Sequence, residues 1–165
     1  MIVIEPITLE NLTAFKETRL RALKDTPSAF GSTYARESQL TDEEWRSRAV
    51  RWNGERGIGF LAVDNGVACG IAGCFLDPNN PHSAQLISMW TAPSHRKLGV
   101  GRLLVDSVAT WASSRGATTL QLLVTSSNES AMIFYERLGF NRTGRTEPYP
   151  NDPALVEYEM VRPLS

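Results

Sequence analysis

The chain has 165 residues, enough for one domain with its own core and no need of disulfides or a structural metal. Its 42% hydrophobic and 21% charged residues are those of an ordinary globular protein. A net charge of −1 leaves no basic field to hold a nucleic-acid backbone. No apolar run approaches the roughly 20 residues that span a bilayer, and the start Met1-Ile-Val-Ile-Glu5 lacks the features of a signal peptide, so a cytosolic protein is expected. Cys69 and Cys74, at odd spacing on one predicted strand, face opposite sides of it, which argues against a mutual disulfide and suits a reducing compartment.

From the N-terminus, Ile2–Ile7 reads as a strand, and Thr8 as the cap of a helix reaching Lys24 with Leu9, Leu12, Leu20 and Leu23 on one side. Pro27 ends it, and Ser28–Gln39 reads as a loop. Thr41-Asp-Glu-Glu44 is a capping box that opens a second helix to Trp52. The period then changes to two: Gly59–Val63 and Val67–Leu76 form a hairpin through Asp64-Asn65-Gly66, whose Asn and Gly tolerate positive φ. After a polar turn at Asp77–Pro81, Ala84–Trp90 is the fourth strand. Val100, Leu103, Leu104, Val108 and Trp111 share one face of a helix that Gly116 stops. Thr118–Thr125 is apolar enough on both faces to be central. Ala131 to Leu138 marks a short helix ended by Gly139, and Phe140–Thr146 and Leu155–Arg162 are the last two strands. A long helix between two neighbouring strands implies a right-handed crossover, so the expected fold class is α/β: a mixed sheet of about seven strands with about four helices.

The segment Thr91-Ala-Pro-Ser-His-Arg-Lys-Leu-Gly-Val-Gly-Arg102 joins the fourth strand to the long helix. A strand, a glycine-containing loop and a helix N-terminus make an anion site, because the first helical N–H groups have no partners and the dipole favours negative charge. Gly99 and Gly101 keep side chains away from a phosphate, while Arg96, Lys97 and Arg102 add positive charge. A P-loop is disfavoured, since Gly101 is followed by Arg102-Leu103 instead of Lys-Ser/Thr. A dinucleotide fingerprint fails at Leu104, where glycine or alanine is needed. Phosphoryl transfer is disfavoured because no metal-binding carboxylate stands beside the loop.

Arg96-Lys-Leu-Gly99-Val-Gly101 resembles the R/Q-x-x-G-x-G/A coenzyme A loop of the GNAT N-acetyltransferase superfamily. Farther along, Asn128, Ala131 and Phe134-Tyr135-Glu-Arg-Leu-Gly139-Phe140 resemble the family's N-x-x-A-x-x-x-Y-x-x-x-G-F helix, and Met89-Trp90-Thr91-Ala-Pro93 its central strand and exit. The resemblance implies a single N-acetyltransferase domain over residues 1–165, with the central strands splayed into an acetyl-coenzyme A cleft and no metal. Pantetheine would pair along Met89 and Thr91, and amides near Met89 or Trp90 would hold the thioester oxygen. The diphosphate would lie on the amides of Leu98, Gly99, Val100, Gly101, Arg102 and Leu103, and Asn128 would hydrogen-bond the pantetheine chain. Tyr135 matches the family tyrosine near the sulfur, a candidate acid for the departing thiolate.

The base is less legible. Gln85 and Ser88 occupy the polar positions of the fourth strand, and neither titrates near neutrality. Glu37, in the loop between the early helices, would face the acceptor side in this fold; it is read either as a catalytic base or as a solvated loop charge. His82 and His95 read as a turn residue and a loop residue bordering phosphates. The expected activity is acetyl transfer to a primary amine by direct attack on the thioester, with acetyl-coenzyme A and the amine as partners; the alternative is a sensor that binds acyl-coenzyme A without turnover. Phe30–Tyr34, Trp45, Trp52 and the loop Tyr149–Pro153 are the expected walls of the acceptor pocket. Many relatives of the fold are dimers, so a homodimer is compatible with the resemblance.

Overall fold

The computed structural model describes residues 1–164. Seven strands form one sheet in the order β1-β2-β3-β4-β5-β7-β6, with β1 Ile2–Pro6, β2 Gly57–Asp64, β3 Val67–Asp77, β4 Asn80–Thr91, β5 Thr119–Thr125, β6 Asn141–Pro148 and β7 Val156–Pro163. Every neighbouring pair is antiparallel except β4 and β5, which run parallel because α4 (Val100–Ser114) carries the chain between them. The other helices are α1 (Leu12–Asp25), the one-turn α2 (Tyr34–Glu37), α3 (Asp42–Arg51) and α5 (Glu129–Arg137). Among the described residues no helix is long and apolar enough to cross a membrane.

Local chemistry accounts for the boundaries. Asn65 and Gly66 both adopt positive φ, the two-residue turn expected between β2 and β3. Thr41 Oγ1 accepts the Glu44 N–H at 3.1 Å, and the acidic first turn of α3 suits its dipole. Thr8 does not cap α1. Asn11 stands at the cap position, but its side chain is occupied in folding back the link, accepting from Thr8 N–H and donating to the Pro6 carbonyl, so α1 starts later and Leu9 is left exposed. The stretch read as a loop holds a 3-10 turn at Pro27–Ala29 as well as α2. Phe140 precedes β6 and is fully buried in the core. On α4 the buried face is Val100, Leu104, Val105, Val108 and Ala112; Leu103, expected on it, is exposed.

Helices cover both faces of the sheet. Gly70 and Gly73 point to opposite sides of β3, as the strand period requires. A Cβ on Gly70 would meet Leu104 and Val100 of α4, whereas one on Gly73 would meet the Trp52 ring at 2.8 Å. Gly59, paired with Gly73 across the ladder, faces the same ring at 2.3 Å. The two glycines thus form a trough for the indole, which packs on Phe15 at 5.2 Å between ring centres. Filling that trough should be costly: Gly73→Ala is expected to destabilise the protein by about 1–3 kcal/mol through overpacking, and thermal unfolding should show the corresponding fall in Tm.

Candidate active site

β4 and β5 pair only at Ser83–Gln85 against Thr119–Gln121 and then separate. Leu86–Met89 and Leu122–Thr125 become the lips of a cleft of about 70 Å³, whose back is Asn128, Ala131 and Tyr135 of the α5 region and whose front touches Ala29. Opposite β3, β4 carries one extra residue: Ile71 pairs Trp90 and Gly73 pairs Ile87, two steps on β3 against three on β4. Ser88, inside this bulge, has φ +58, a conformation rare outside glycine, asparagine and aspartate.

The anion loop lies at the exit of β4. Pro93–His95 makes a 3-10 turn, Lys97 and Gly99 take positive φ, and α4 begins at Val100 with no side-chain cap and no acidic residue in its first turn. Its leading N–H groups are therefore free for an anion. The two glycines serve different ends. Gly99 has open space around it and supplies the left-handed turn. A Cβ on Gly101 would lie 2.8 Å from Phe134 and 3.2 Å from Met89, so this position lets α4 approach α5 and the cleft lip. Lys97, Leu98 and Arg102 reach solvent or its edge. Arg96 turns away: Nε donates to the Thr91 carbonyl and Nη2 to Asp25 at the end of α1. Trp90 Nε1 donates to the same carboxylate at 3.0 Å, and that bond, with Arg96, holds Asp25 below the usual carboxylate range. His95 is tied to Asp64 at 2.9 Å and to Ser94.

On α5, Asn128 Oδ1 accepts the Ala131 N–H at 3.2 Å and caps the helix, while its Nδ2 has no partner among the described residues. Tyr135 is buried, with rings of Phe134 and Phe140 edge-on at 5.2 and 5.6 Å, yet it lines the cleft. Burial raises the pKa of its hydroxyl, which stays protonated at neutral pH.

Helices α1 to α3 hold what the sequence did not disclose. Glu37 is not a solvated loop charge: it is 1% exposed and bound by Arg19 Nε and Nη2, both at 3.0 Å, and by Arg48 Nη1 at 2.7 Å. Burial opposes its charge, but the two arginines prevail and keep the carboxyl below its ordinary value. Arg19 Nη1 continues to Ser88 Oγ at 2.9 Å. A signal for Arg19 existed in the chain, since Phe15, Arg19, Ala22 and Leu23 share one helix face and a cation interrupts that apolar stripe. Trp45 and Trp52, expected as pocket walls, lie in the core instead, because Phe15 and the glycine trough take their rings. Ser32, Thr33, Tyr34, Tyr149, Asn151 and Asp152 do line a second cavity, of about 490 Å³, beside the cleft. Tyr149 Oη donates to the Phe30 carbonyl at 2.6 Å, and Thr125 Oγ1 to the Ser28 carbonyl at 2.6 Å, so the Pro27–Ala29 turn forms the partition between the two spaces. Glu157 pairs Thr125 across the ladder, its carboxyl raised by burial and then by Glu147. Among the described residues no cluster of His, Cys, Asp and Glu could hold a metal.

Comparison with known proteins agrees with this geometry. The acetyltransferase (GNAT) family matches residues 20–140. A ribosomal protein bS18-alanine N-acetyltransferase of Escherichia coli K12 is 34% identical over an alignment covering 65% of this chain and 76% of its own. The solved structure of a GCN5-related N-acetyltransferase from Kribbella flavida is 29% identical, with a TM-score of 0.73 over 99% of this chain and 98% of that one. A GNAT-family acetyltransferase structure from Streptococcus pneumoniae, 22% identical, shares the fold with a TM-score of 0.83 over the whole of both chains. The chain belongs to the GNAT acetyltransferase family and is an N-acetyltransferase that takes its acetyl group from acetyl-coenzyme A.

Proposed function

We propose that this enzyme acetylates an α-amino group, of a peptide or an amino acid, by direct attack on the thioester in the β4–β5 cleft. The observation that carries this reading is the cleft lining: among the described residues it contains no carboxylate and no histidine, only Tyr135 among titratable groups. An ammonium must lose its proton before it can attack. An α-amino group, with an ordinary pKa of about 7.7–8.0, is already substantially neutral at working pH, whereas a lysine at about 10.4 needs a strong base nearby. The similarity to enzymes named for the alanine of ribosomal protein bS18 supports the same class.

In this reading the diphosphate rests on the leading amides of α4, with Leu98, Gly99, Val100, Gly101 and Arg102 around it and Lys97 adding charge. Arg96 acts by holding the loop to α1 and not as a phosphate ligand, because Asp25 already neutralises it. Pantetheine lies along the freed edge of β4 at Met89–Thr91, whose amides, with Trp90 anchored by Asp25, hold the thioester oxygen as charge develops on it. Glu37 is a structural counter-ion, since a carboxylate with a lowered pKa and two guanidinium partners is a poor proton acceptor. Tyr135 donates a hydrogen bond, and then its proton, to the leaving sulfur; the proton shed by the nitrogen as the amide forms passes through solvent and restores the phenol. The acceptor enters through the cavity beside Tyr34 and Asn151. We read residues 1–165 as one domain working in the cytosol, where Cys69 and Cys74 stay reduced.

Three measurements check the reading. With acetyl-coenzyme A at saturation, a peptide with a free α-amino group should be turned over at least about 10-fold faster at pH 7.5 than the same peptide blocked at its N-terminus and carrying one lysine; equal rates would remove the α-amino assignment. Asn128→Asp keeps the Oδ1 cap but loses the amide donor, so acetyl-coenzyme A binding should weaken by about 1–2 kcal/mol by calorimetry while Tm holds. Tyr135→Phe keeps the ring packing and should lower kcat about 10–100-fold with the Michaelis constant little changed, the low end of general-acid effects because a phenol with a raised pKa is a reluctant donor.

A further inference from the structure

The guanidinium of Arg19 is shared between a salt bridge and the catalytic strand. Its Nε and Nη2 are both given to Glu37, and Arg48 completes that carboxylate from the other side. The Phe30 ring lies 5.0 Å from Arg19 Cζ and closes one face of the plane. One further donor, Nη1, leaves the pair and reaches Ser88 Oγ at 2.9 Å. A salt bridge whose purpose was to join α1 to α2 would be complete without that bond. Ser88, for its part, is a serine where the backbone conformation favours glycine or asparagine, at the bulge that lines the cleft. The strained conformation persists because the surroundings hold it, and the contact that holds the Ser88 side chain is Arg19.

We propose that Arg19 is a positioning residue for acetyl transfer: fixed by Glu37, it grips the Ser88 hydroxyl and so sets the β4 bulge against which the thioester carbonyl lies. The inference rests on the reading that the thioester lies beside Met89. Arginine is needed because its planar fork presents donors to the carboxylate and to the hydroxyl in one rigid plane; a lysine ammonium has no such fork and cannot hold both in register. Glu37 neutralises the buried cation and fixes its orientation, and Arg48 holds Glu37 in turn. The bulge thereby receives its geometry from α1, α2 and α3.

The test is a double-mutant cycle on Arg19→Lys and Ser88→Ala, with Ser88→Gly as a third variant. Each single change is expected to lower kcat about 10-fold, the scale of a small misplacement of the reacting group, and to leave the acetyl-coenzyme A Kd within about twofold. The double variant should be no slower than the slower single, because Arg19 acts through the hydroxyl that Ser88→Ala removes. Ser88→Gly relieves the backbone strain but lacks the hydroxyl, so it should be slow as well. Wild-type kcat in Ser88→Ala and Ser88→Gly would overturn the proposal and leave Arg19–Glu37 a purely structural pair. A second readout needs no substrate: the ¹³Cα and ¹³Cβ chemical shifts of Ser88 should leave the left-handed range in Arg19→Lys, and unchanged shifts would likewise overturn the grip. Failure of the functional reading is distinct, since it would show as a wild-type protein that acetylates no amine while the Ser88 shifts still respond to Arg19→Lys; in that case the grip stands and its catalytic consequence falls.

Discussion

The loss of pairing between β4 and β5 is the constraint on which the rest of the molecule turns. Two parallel strands share a ladder for three residues and then part, leaving backbone donors and acceptors that an unbroken sheet would have consumed. Such an edge is stable only if its lips are held apart by contacts elsewhere. The end of α1 and the turn after it reach both lips: Asp25 takes Trp90 and Arg96 on the β4 side, and the Ser28 carbonyl takes Thr125 on the β5 side. A short stretch of chain therefore braces the opening from above, and α5 closes it from behind with Tyr135 and Asn128. A rim braced in this way keeps the two strands apart beyond Gln85 and Gln121.

Charge is unevenly distributed along this cleft. At the mouth, α4 presents uncapped amides and no acidic first-turn residue, with Lys97 and Arg102 near it, an environment for a diphosphate. Between β4 and β5 the lining is apolar or neutral, an environment that strengthens any dipole within it. The paired charges lie one layer back: Glu37 is buried and neutralised by Arg19 and Arg48, whereas Asp25 pairs with Arg96 at the surface. Neither pair contributes much net stability: desolvation offsets the attraction in the buried one and solvent screens the exposed one. Their value here is geometric: each pair fixes a side chain that also touches β4, Arg96 through Thr91 and Arg19 through Ser88.

The glycines show how differently the same residue type is used in one fold. Gly59 and Gly73 give up side chains so that the Trp52 ring can sit on the sheet, a packing role. Gly101 does the same for Phe134 and for Met89 of the cleft lip, so packing there also shapes the cleft. Gly99 has room to spare and is needed only for its backbone conformation, the turn that points the first amides of α4 outward.

Much was legible in the order of residues alone. The strand period, the Asn65-Gly66 turn, the Thr41 cap and the loop–helix segment from Thr91 to Arg102 all depend on residues close together in the chain, and short-range geometry follows from spacing. The short helix α5, between Asn128 and Gly139, was legible for the same reason. Tertiary structure alone decided the fates of Glu37, Arg96, Ser88 and the two tryptophans. Glu37 read as a base or as a loop charge because its partners stand in two other helices, and the Arg96–Asp25 pair was invisible because the two residues are far apart in sequence. Trp45 and Trp52 looked available for a pocket until Phe15 and a pair of glycines on separate strands took their rings. Whether a charged or aromatic side chain faces solvent or core depends on which distant group meets it, and desolvation makes that pairing decisive: two guanidinium partners keep the buried Glu37 carboxylate charged.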